Sequence, residues 1–364
     1  MVKYGAISRL SHPLEGCLTY GGSKRRSRAH QNLMKTSLPI KITVVVPVYN
    51  DWESFAILVK EIDVKFQPLL GELVSSVSVL AVDDGSVVLP QHDQLNFHET
   101  QISSLDILRL AANVGHQRAI TIALAYLESK SSASDAILVM DADGEDRPED
   151  APRLVKASIE HPEKIILAAR TKRSEGIAFR VGYVVYRLLY RVLCGSSIRY
   201  GNFSLIPAAL LSRLVCLSDL WNHFMAGIMR SRLPMMSVPT ERGKRFVGST
   251  HMSVVNLVVH GLSAISVHLD TVAVRVLMAT GAIVLIATMG FIIVSLIRLL
   301  TELAIPGWAS TVGLSFLIIA IQGVLVSILL VFITLNSRQQ RMFIPQIDFK
   351  YYVKEVERIY ESAG

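Results

Sequence analysis

The sequence predicts an α/β protein: a doubly wound sheet, followed by two helices that cross a membrane. Between residues 42 and 140, short apolar runs alternate with helical patterns, as in a parallel sheet with crossover helices. Beyond residue 275, two apolar stretches are each long enough to span a bilayer. The length of 364 residues is enough for one large domain or two modest ones.

The elements follow one another along the chain. Strands rich in β-branched and aliphatic residues are predicted at residues 42–48, 77–82, 105–110, 136–140 and 164–169. One helix is predicted directly after Asp51, which would cap it, a second at residues 119–128 and a third from near Pro148. Residues 179–191 interleave aromatic, aliphatic and arginine side chains at helical spacing, which favours a helix in the membrane interface.

The composition excludes an ordinary soluble enzyme, because 51% of the residues are hydrophobic and the mean hydropathy is +0.41. A net charge of +7 is compatible with an anionic membrane surface, phosphate-bearing substrates or nucleic acid. No nucleic-acid module is recognisable, so we expect no nucleic-acid partner. Cys17, Cys194 and Cys216 lack metal-site spacing and are typical of free thiols in a reducing compartment.

Acidic residues follow three of the predicted strands, at Asp51, at Asp83-Asp84 and at Asp141-Ala142-Asp143. The carboxyl ends of parallel strands lie at one edge of a sheet, so these segments should converge on one crevice. Asp141 and Asp143 would leave an extended chain on the same side, and paired carboxylates suit Mg²⁺ or Mn²⁺ holding a diphosphate. The alternative is an acidic loop that merely leads into the next helix.

These segments carry a resemblance to a known family. The motifs occur in the order Val46-Pro47-Val48-Tyr49-Asn50-Asp51, Asp83-Asp84-Gly85-Ser86, Asn113-Val114-Gly115-His116-Gln117 and Asp141-Ala142-Asp143. Together they resemble the family 2 inverting glycosyltransferases of the GT-A fold, over residues 42–335. More narrowly, they are similar to the polyprenyl-phosphate glycosyltransferases, the dolichyl-phosphate mannose synthase-like group. The chain has no Gly-x-Gly-x-x-Gly motif, which argues against a dinucleotide-binding domain.

The resemblance implies roles for residues on the donor side. The nucleotide-sugar would be bound by Pro47, Tyr49, Asp51, Asp83, Asp84, Arg118, Asp141 and Arg245. The metal ligands would be Asp141, Asp143 and Glu145, where the family commonly has Gln at the last position. Plain packing is the alternative for Tyr49, and a hydrogen bond at the start of a helix is favoured for His116.

On the acceptor side, the resemblance implies that Arg170 and Arg180 act with Asp141 and Asp143 in catalysis and hold the acceptor's phosphate. The alternative, contact with lipid headgroups, fits Arg187 and Arg191 better. Residues 242–251 are similar to a family loop that closes over the diphosphate, and they retain Arg245 and Gly248 while His251 replaces Lys. Asn202 stands where the family usually has Asp.

Basic flanks orient the predicted spans, residues 276–297 and 308–335. The loop between them is nearly neutral, and the other side is basic, so the positive-inside rule places both termini and the catalytic domain in the cytoplasm. The predicted parts are a disordered extension (1–38), a GT-A domain (39–251), a juxtamembrane helix (252–271), two transmembrane helices (272–337) and a tail helix (338–364). No apolar segment typical of a cleaved signal is found near the N-terminus.

The resemblance implies transfer of one sugar from a UDP- or GDP-linked donor to a polyprenyl phosphate such as undecaprenyl phosphate, at the inner membrane. Similar proteins form oligomers, although the sequence gives no interface signal. A processive polysaccharide synthase would carry a Gln-x-x-Arg-Trp motif, in which none of the tryptophans Trp52, Trp221 and Trp308 stands. The other alternative is a non-catalytic membrane scaffold on the same fold.

Overall fold

A mixed sheet of eight strands lies at the centre of the part of the chain that the structure describes. The structure, a computed structural model, describes residues 39–90, 95, 100–130, 135–170, 177–195, 200–248, 254–301, 307–339 and 342–362. The extension predicted at residues 1–38 lies outside the described residues.

The secondary structure agrees closely with the predicted elements up to residue 339. The strands are β1 (Ile40–Val48), β2 (Val74–Asp83), β3 (Ser104–Leu110), β4 (Ala136–Val139), β5 (Ile165–Arg170), β6 (Ser204–Pro207), β7 (Met235–Thr240) and β8 (Val353–Glu361). The helices are α1 (Trp52–Phe66), α2 (His116–Ser129), α3 (Ala151–Glu160), α4 (Ile177–Cys194), α5 (Ala208–Val215), α6 (Asp219–Asn222), α7 (Phe224–Arg230), α8 (Val254–Ser266), α9 (Leu269–Leu300), α10 (Trp308–Gln339) and α11 (Pro345–Asp348).

The strand order is β7-β5-β6-β4-β1-β2-β3-β8. Strands β4, β1, β2 and β3 are parallel neighbours, which agrees with the predicted alternation of strands and helices. The sheet as a whole is mixed, because β6 runs antiparallel between β4 and β5, and β8 runs antiparallel to β3. Strand β1 is buried on both faces from Ile42 to Val48, as expected for a central strand between two layers of helices.

Helices cover both faces of the sheet, which confirms the doubly wound α/β class. Val44 and Val46 of β1 pack in one cluster with Phe55 of α1 and Leu154 of α3. Val45 points to the other face, where side chains from α2, α5 and α7 form a second cluster. Successive residues of one strand therefore supply two separate cores.

The carboxyl ends of the central strands lie side by side. Val48, the last residue of β1, pairs with Asp83 of β2, and Val45 pairs with Val139 of β4. The segments that follow β1, β2 and β4 therefore emerge at one edge, as the sequence predicts.

The prediction of a tail helix is wrong for residues 353–361. Val353–Glu361 is strand β8, paired with β3, so this segment belongs to the sheet of the predicted 39–251 domain. Without β8, strand β3 would be an exposed edge with unpaired backbone groups. Complementary charges support the pairing: Arg358 lies 2.6 Å from Asp106, and Arg109 lies 2.7 Å from Glu357.

Helices α9 and α10 contain the two predicted spans, and both are long and apolar enough to cross a membrane. They pack as an antiparallel hairpin in which glycines allow close approach. A Cβ on Gly290 would lie 2.7 Å from the ring of Phe316, and one on Gly323 would lie 2.5 Å from Val284. The predicted juxtamembrane segment contains α8 and the start of α9.

Candidate active site

The loop that follows β4 is folded back on itself by its own carboxylates. Asp143 accepts a hydrogen bond from the backbone N–H of Glu145 (2.9 Å), and Asp146 accepts one from the N–H of Asp141 (3.0 Å). Gly144 has a φ of +85° and faces the ring of Phe246, so a side chain at this position would be both strained and obstructed. The loop therefore holds the side chains of Asp141 and Asp143 partly exposed at the edge of the sheet.

A second loop, residues 241–248, lies against the acidic loop. The N–H of Gly243 donates to the carbonyl of Glu145, and the N–H of Phe246 donates to the carbonyl of Asp143, each at 2.9 Å. These bonds bring Arg242 and Arg245 to the carboxylates. The resemblance to the family loop predicted a position near the diphosphate for Arg245, whereas sequence reasoning treated Arg242 only as a flanking charge.

Three arginines pair with the acidic loop. Arg242 binds Glu145 through both Nε and Nη2, with a shortest distance of 2.8 Å. Arg245 lies 2.8 Å from Asp143 and 3.3 Å from Glu145. Arg170, from the end of β5, lies 2.9 Å from Asp146 and 3.7 Å from Glu145. The site is thus a compact cluster of alternating carboxylates and guanidinium groups.

The donor set fits a divalent metal only in part. Among the described residues, no three His, Cys, Asp or Glu side chains are grouped so that they could form a metal cage. Mg²⁺ commonly uses one or two carboxylates and takes its other ligands from substrate phosphates and water. Asp141 and Asp143 suit that arrangement. Glu145 is engaged by arginines, so its role as a metal ligand stays a prediction.

His116 and Asn202 are neighbours of Asp141 that sequence reasoning missed. Nε2 of His116 lies 3.0 Å from Oδ1 of Asp141, and Nδ2 of Asn202 lies 3.3 Å from the same oxygen. The predicted helix-start hydrogen bond of His116 is wrong, because Gly115 occupies the N-cap of α2 and the imidazole contacts Asp141 instead. The sequence did contain a signal for this contact, because the Asn113–Gln117 motif lies at the same sheet edge as Asp141.

The electrostatics of the cluster follow from its pairs. Burial alone would raise the pKa of Asp141, but His116, Asn202 and Arg170 together outweigh it and the pKa falls to about 2. Burial alone would lower the pKa of His116, but the nearby carboxylates, Asp141 above all, together outweigh it and the pKa rises. Burial and then repulsion from Asp141 raise the pKa of Asp143, and the same two causes raise the pKa of Asp146 to about 7 despite the nearby Arg170. Four carboxyl groups are therefore held together by cations.

Asp83 and Asp84 order the loops beside the acidic loop. Asp84 accepts hydrogen bonds from the N–H groups of Val114 (2.8 Å) and Gly115 (3.0 Å), and burial raises its pKa to about 6. Asp83 is buried and binds the N–H of Ser86 and the guanidinium of Arg109. Both have structural partners, and their contact with a nucleotide stays a prediction.

The remaining donor-side residues lie at the end of β1. Pro47 is buried in the strand, whereas Tyr49 is 50% exposed, so plain packing does not account for the tyrosine. Asp51 occupies the N-cap position of α1 but makes no capping hydrogen bond, contrary to the predicted cap. The carboxylate of Asp51 is therefore not committed to the helix, and its role in nucleotide binding stays a prediction.

Arg118 is not brought into the cluster. Arg118 lies two residues beyond His116 in α2, about 200° around the helix. Its Nε donates to the carbonyl of Trp221 (3.3 Å), and its guanidinium lies 4.9 Å from the centre of the Trp221 ring. The side chain of Arg180 lies outside the described residues, as do Thr250 and His251.

In sequence, the chain is similar to known glycosyltransferases. Residues 43–209 match the family model described as Glycosyl transferase family 2. Over 293 residues, the chain is 26% identical to "Uncharacterized glycosyltransferase YkcC" of Bacillus subtilis (strain 168), covering 76% of this chain and 84% of that protein.

Among solved structures, the fold is similar to glucosyl-3-phosphoglycerate synthase from Mycobacterium tuberculosis in complex with Mn²⁺, UDP and glucosyl-3-phosphoglycerate. The TM-score is 0.45 and the identity is 17%, over 71% of this chain and 88% of that chain. The family match covers strands β1 to β6 and includes the acidic loop, so the part of the chain that is similar to this family contains the candidate site.

Proposed function

We propose that this protein is a membrane-bound, metal-dependent, inverting transferase that moves one sugar from a nucleotide-sugar to a polyprenyl phosphate. The observation that carries the proposal is the pair Asp141 and Asp143, at the end of a buried strand, in a loop whose carboxylates pair with Arg170, Arg242 and Arg245. Carboxylates for a metal and guanidinium groups for phosphates are the two features that a nucleoside diphosphate requires.

On the donor side, cations of the cluster that now pair with carboxylates would pair with the departing diphosphate. A bound Mg²⁺ or Mn²⁺ would neutralise the charge that develops on the leaving diphosphate. Asp141 and Asp143 are the residues that would hold this ion. Arg245 pairs with Asp143 through Nη2 and with Glu145 through Nε, so a metal that displaces it from Asp143 would let Nη2 pair with a phosphate oxygen.

On the acceptor side, helix α4 supports a lipid substrate. It presents a row of exposed aliphatic side chains, namely Val184, Val185, Leu188, Leu189 and Val192. Such a surface matches the headgroup region of a bilayer, and α9 and α10 would anchor it there. Arg242 and Arg245 pair with carboxylates, so the proposed cytoplasmic orientation depends on Arg275 and the basic residues after the hairpin.

The chemistry needs little from the protein beyond positioning and charge. An acceptor phosphate is already ionised at neutral pH, so no strong general base is required. One of its oxygens would form a bond to the anomeric carbon while the bond to the diphosphate oxygen breaks, and the diphosphate leaves with the electron pair. Arginines in the cluster would reduce the repulsion between the two anions.

The proposal is tested with the purified full-length protein. UDP- and GDP-linked sugars are offered singly, with Mg²⁺ or Mn²⁺, and release of the nucleoside diphosphate is measured with and without undecaprenyl phosphate. We expect one donor to be consumed in a lipid- and metal-dependent manner. Donor consumption that is the same with and without the lipid would overturn the proposal that a polyprenyl phosphate is the acceptor. A lack of turnover with every donor would favour a non-catalytic scaffold.

A further inference from the structure

Helix α8 carries a single ionisable side chain, His260, in an otherwise apolar or neutral sequence. Its outward side chains Val255, Val258, Val259 and Leu262 are each more than half exposed. The opposite side faces the protein: Gly261 lies against the ring of Tyr186, and Ala264 is buried. His260 is also partly buried and turns away from the exposed aliphatic row.

His260 lies beside a second histidine. The ring centres of His260 and His223 are 4.6 Å apart, and the ring planes are tilted by 40°. His223 is 5% exposed and stands at the N-cap of α7, where its Nδ1 accepts a hydrogen bond from the N–H of Ala226 (3.3 Å). Because Nδ1 is an acceptor there, the proton of the neutral ring is on Nε2.

The tautomer of His223 decides which kind of ligand the two histidines can bind. An Nε2 that carries a proton donates a hydrogen bond and does not ligate a metal. Burial, followed by repulsion from His260, lowers the pKa of His223 to about 3, and burial lowers the pKa of His260. The unliganded pair is therefore neutral and supplies N–H donors, which suits an oxyanion.

A chain of hydrogen bonds runs from the residue after His223 to the carboxylate site. The N–H of Phe224 donates to Oε1 of Gln117, and Nε2 of Gln117 donates to Oδ1 of Asn202, each at 2.9 Å. Asn202 in turn donates to Asp141. The backbone beside His223 is thus connected through two side chains to the carboxylate that would hold the metal.

We infer that His223 and His260 bind the phosphate monoester of the acceptor, where the apolar helix α8 meets the active site. This inference rests on the proposed function and adds two substrate-binding residues to it. Arg170, the described arginine expected from the sequence to bind this phosphate, is already paired with Asp146 and Glu145. The histidines have no carboxylate partner among the described residues and so can accept the phosphate without breaking an ion pair.

The test compares substrate affinities in variants of the full-length protein. His260→Leu removes the donor, and His260→Gln keeps an N–H group. His223→Asn keeps an oxygen able to cap α7 but shortens the side chain. We expect His260→Leu and His223→Asn to raise the KM for undecaprenyl phosphate about tenfold or more, the effect of losing a hydrogen bond to a charged group.

In the same variants, the KM for the nucleotide-sugar should stay unchanged, and His260→Gln should recover part of the loss. His161→Gln, the same chemical change at the end of α3, is the matched control and should alter neither KM. Equal damage to donor and acceptor, or an unchanged acceptor KM, would overturn the inference.

Direct binding separates this inference from the proposed function. Inorganic phosphate and undecaprenyl phosphate in nanodiscs are each titrated while the imidazole NMR signals of His223 and His260 are followed. Shifts with both probes support recognition of the phosphate itself, and shifts with the lipid alone support recognition of the lipid-borne phosphate. If neither probe shifts the signals although transfer proceeds, the inference is wrong. If the signals shift but no lipid is glycosylated, the proposed function is wrong.

Discussion

At the scale of single residues, the site depends on how carboxylates of the acidic loop are neutralised. Asp141 relies on His116, Asp143 on Arg245, and Glu145 on Arg242. In each pair the carboxylate is still partly exposed, so a metal ion bound to the substrate's phosphates could replace the cationic side chain as its partner.

Asp143→Asn should nearly abolish transfer while leaving the fold intact. Losing one charged metal ligand weakens stabilisation of the leaving diphosphate by several kcal/mol, and so lowers kcat about 10²-fold or more. Turnover is measured at saturating Mg²⁺ or Mn²⁺, with Glu149→Gln as a nearby control that should remain active. Wild-type turnover of Asp143→Asn would refute the metal assignment.

Glu145→Gln should keep most of the activity, because the resemblance implies that a neutral oxygen suffices at this position. The variant loses the charge that binds Arg242 at 2.8 Å, so we expect a loss of about 1–3 kcal/mol in the free energy of unfolding. Denaturant unfolding and turnover are compared with those of the wild type. Complete inactivity with an unchanged stability would mean that Glu145 acts on the substrate or metal.

The contact between His116 and Asp141 should make stability depend on pH in the metal-free protein. The folded-state pKa of His116 is raised above its ordinary value of 6.5. Stabilisation by the charged ring is therefore fully present below pH 6.5 and is lost as the pH rises through the folded-state pKa. The Tm of the wild type and of His116→Gln is measured from pH 5.5 to 9 with a chelator present. The difference should shrink as the pH rises, and a constant difference would argue against the pair.

At the scale of elements, β8 connects the C-terminal segment to the catalytic sheet. Val356 pairs with Leu108 of β3, in the middle of the strand. Strand pairing of this kind is decided by a partner more than two hundred residues away in the sequence, which local periodicity does not reveal.

Val356→Pro should disturb the pairing of β8, because the proline ring restricts φ and removes a backbone donor in the middle of the strand. We expect faster hydrogen exchange of the β3 amides and a lower Tm, with Val356→Thr as the control that preserves strand propensity. Unchanged exchange in Ser104–Leu110 would show that β3 does not depend on β8.

At the scale of the whole molecule, the apolar hairpin is tied to the catalytic domain at both ends. Near its start, Arg275 donates to the carbonyl of Val192 at the end of α4 (2.7 Å). Beyond its end, Phe343 stacks on Trp221 at 3.7 Å, and β8 completes the sheet. The chain therefore leaves the domain that contains the sheet and returns to it, so both ends of the apolar hairpin are held against that domain.

The sequence was sufficient for features set by local pattern and strand topology. Apolar runs predicted the central strands, and acidic residues at their ends predicted where the site lies. Contacts between distant segments were not predictable: nothing in the sequence pairs Arg242 with Glu145, or His116 with Asp141. The tail was misassigned because Phe349, Val353, Val356 and Tyr360 have helical spacing, whereas the partner strand decides their structure.

The proposed transfer of a single sugar to a polyprenyl phosphate can be read from the mass of the lipid product. The purified protein is incubated with its preferred nucleotide-sugar, a divalent metal and undecaprenyl phosphate, and the lipid is analysed by mass spectrometry. We expect a lipid heavier by one sugar residue that retains its one phosphate. A ladder of added sugars would indicate a processive synthase. Unmodified lipid beside a glycosylated soluble acceptor would show that the acceptor is not a polyprenyl phosphate.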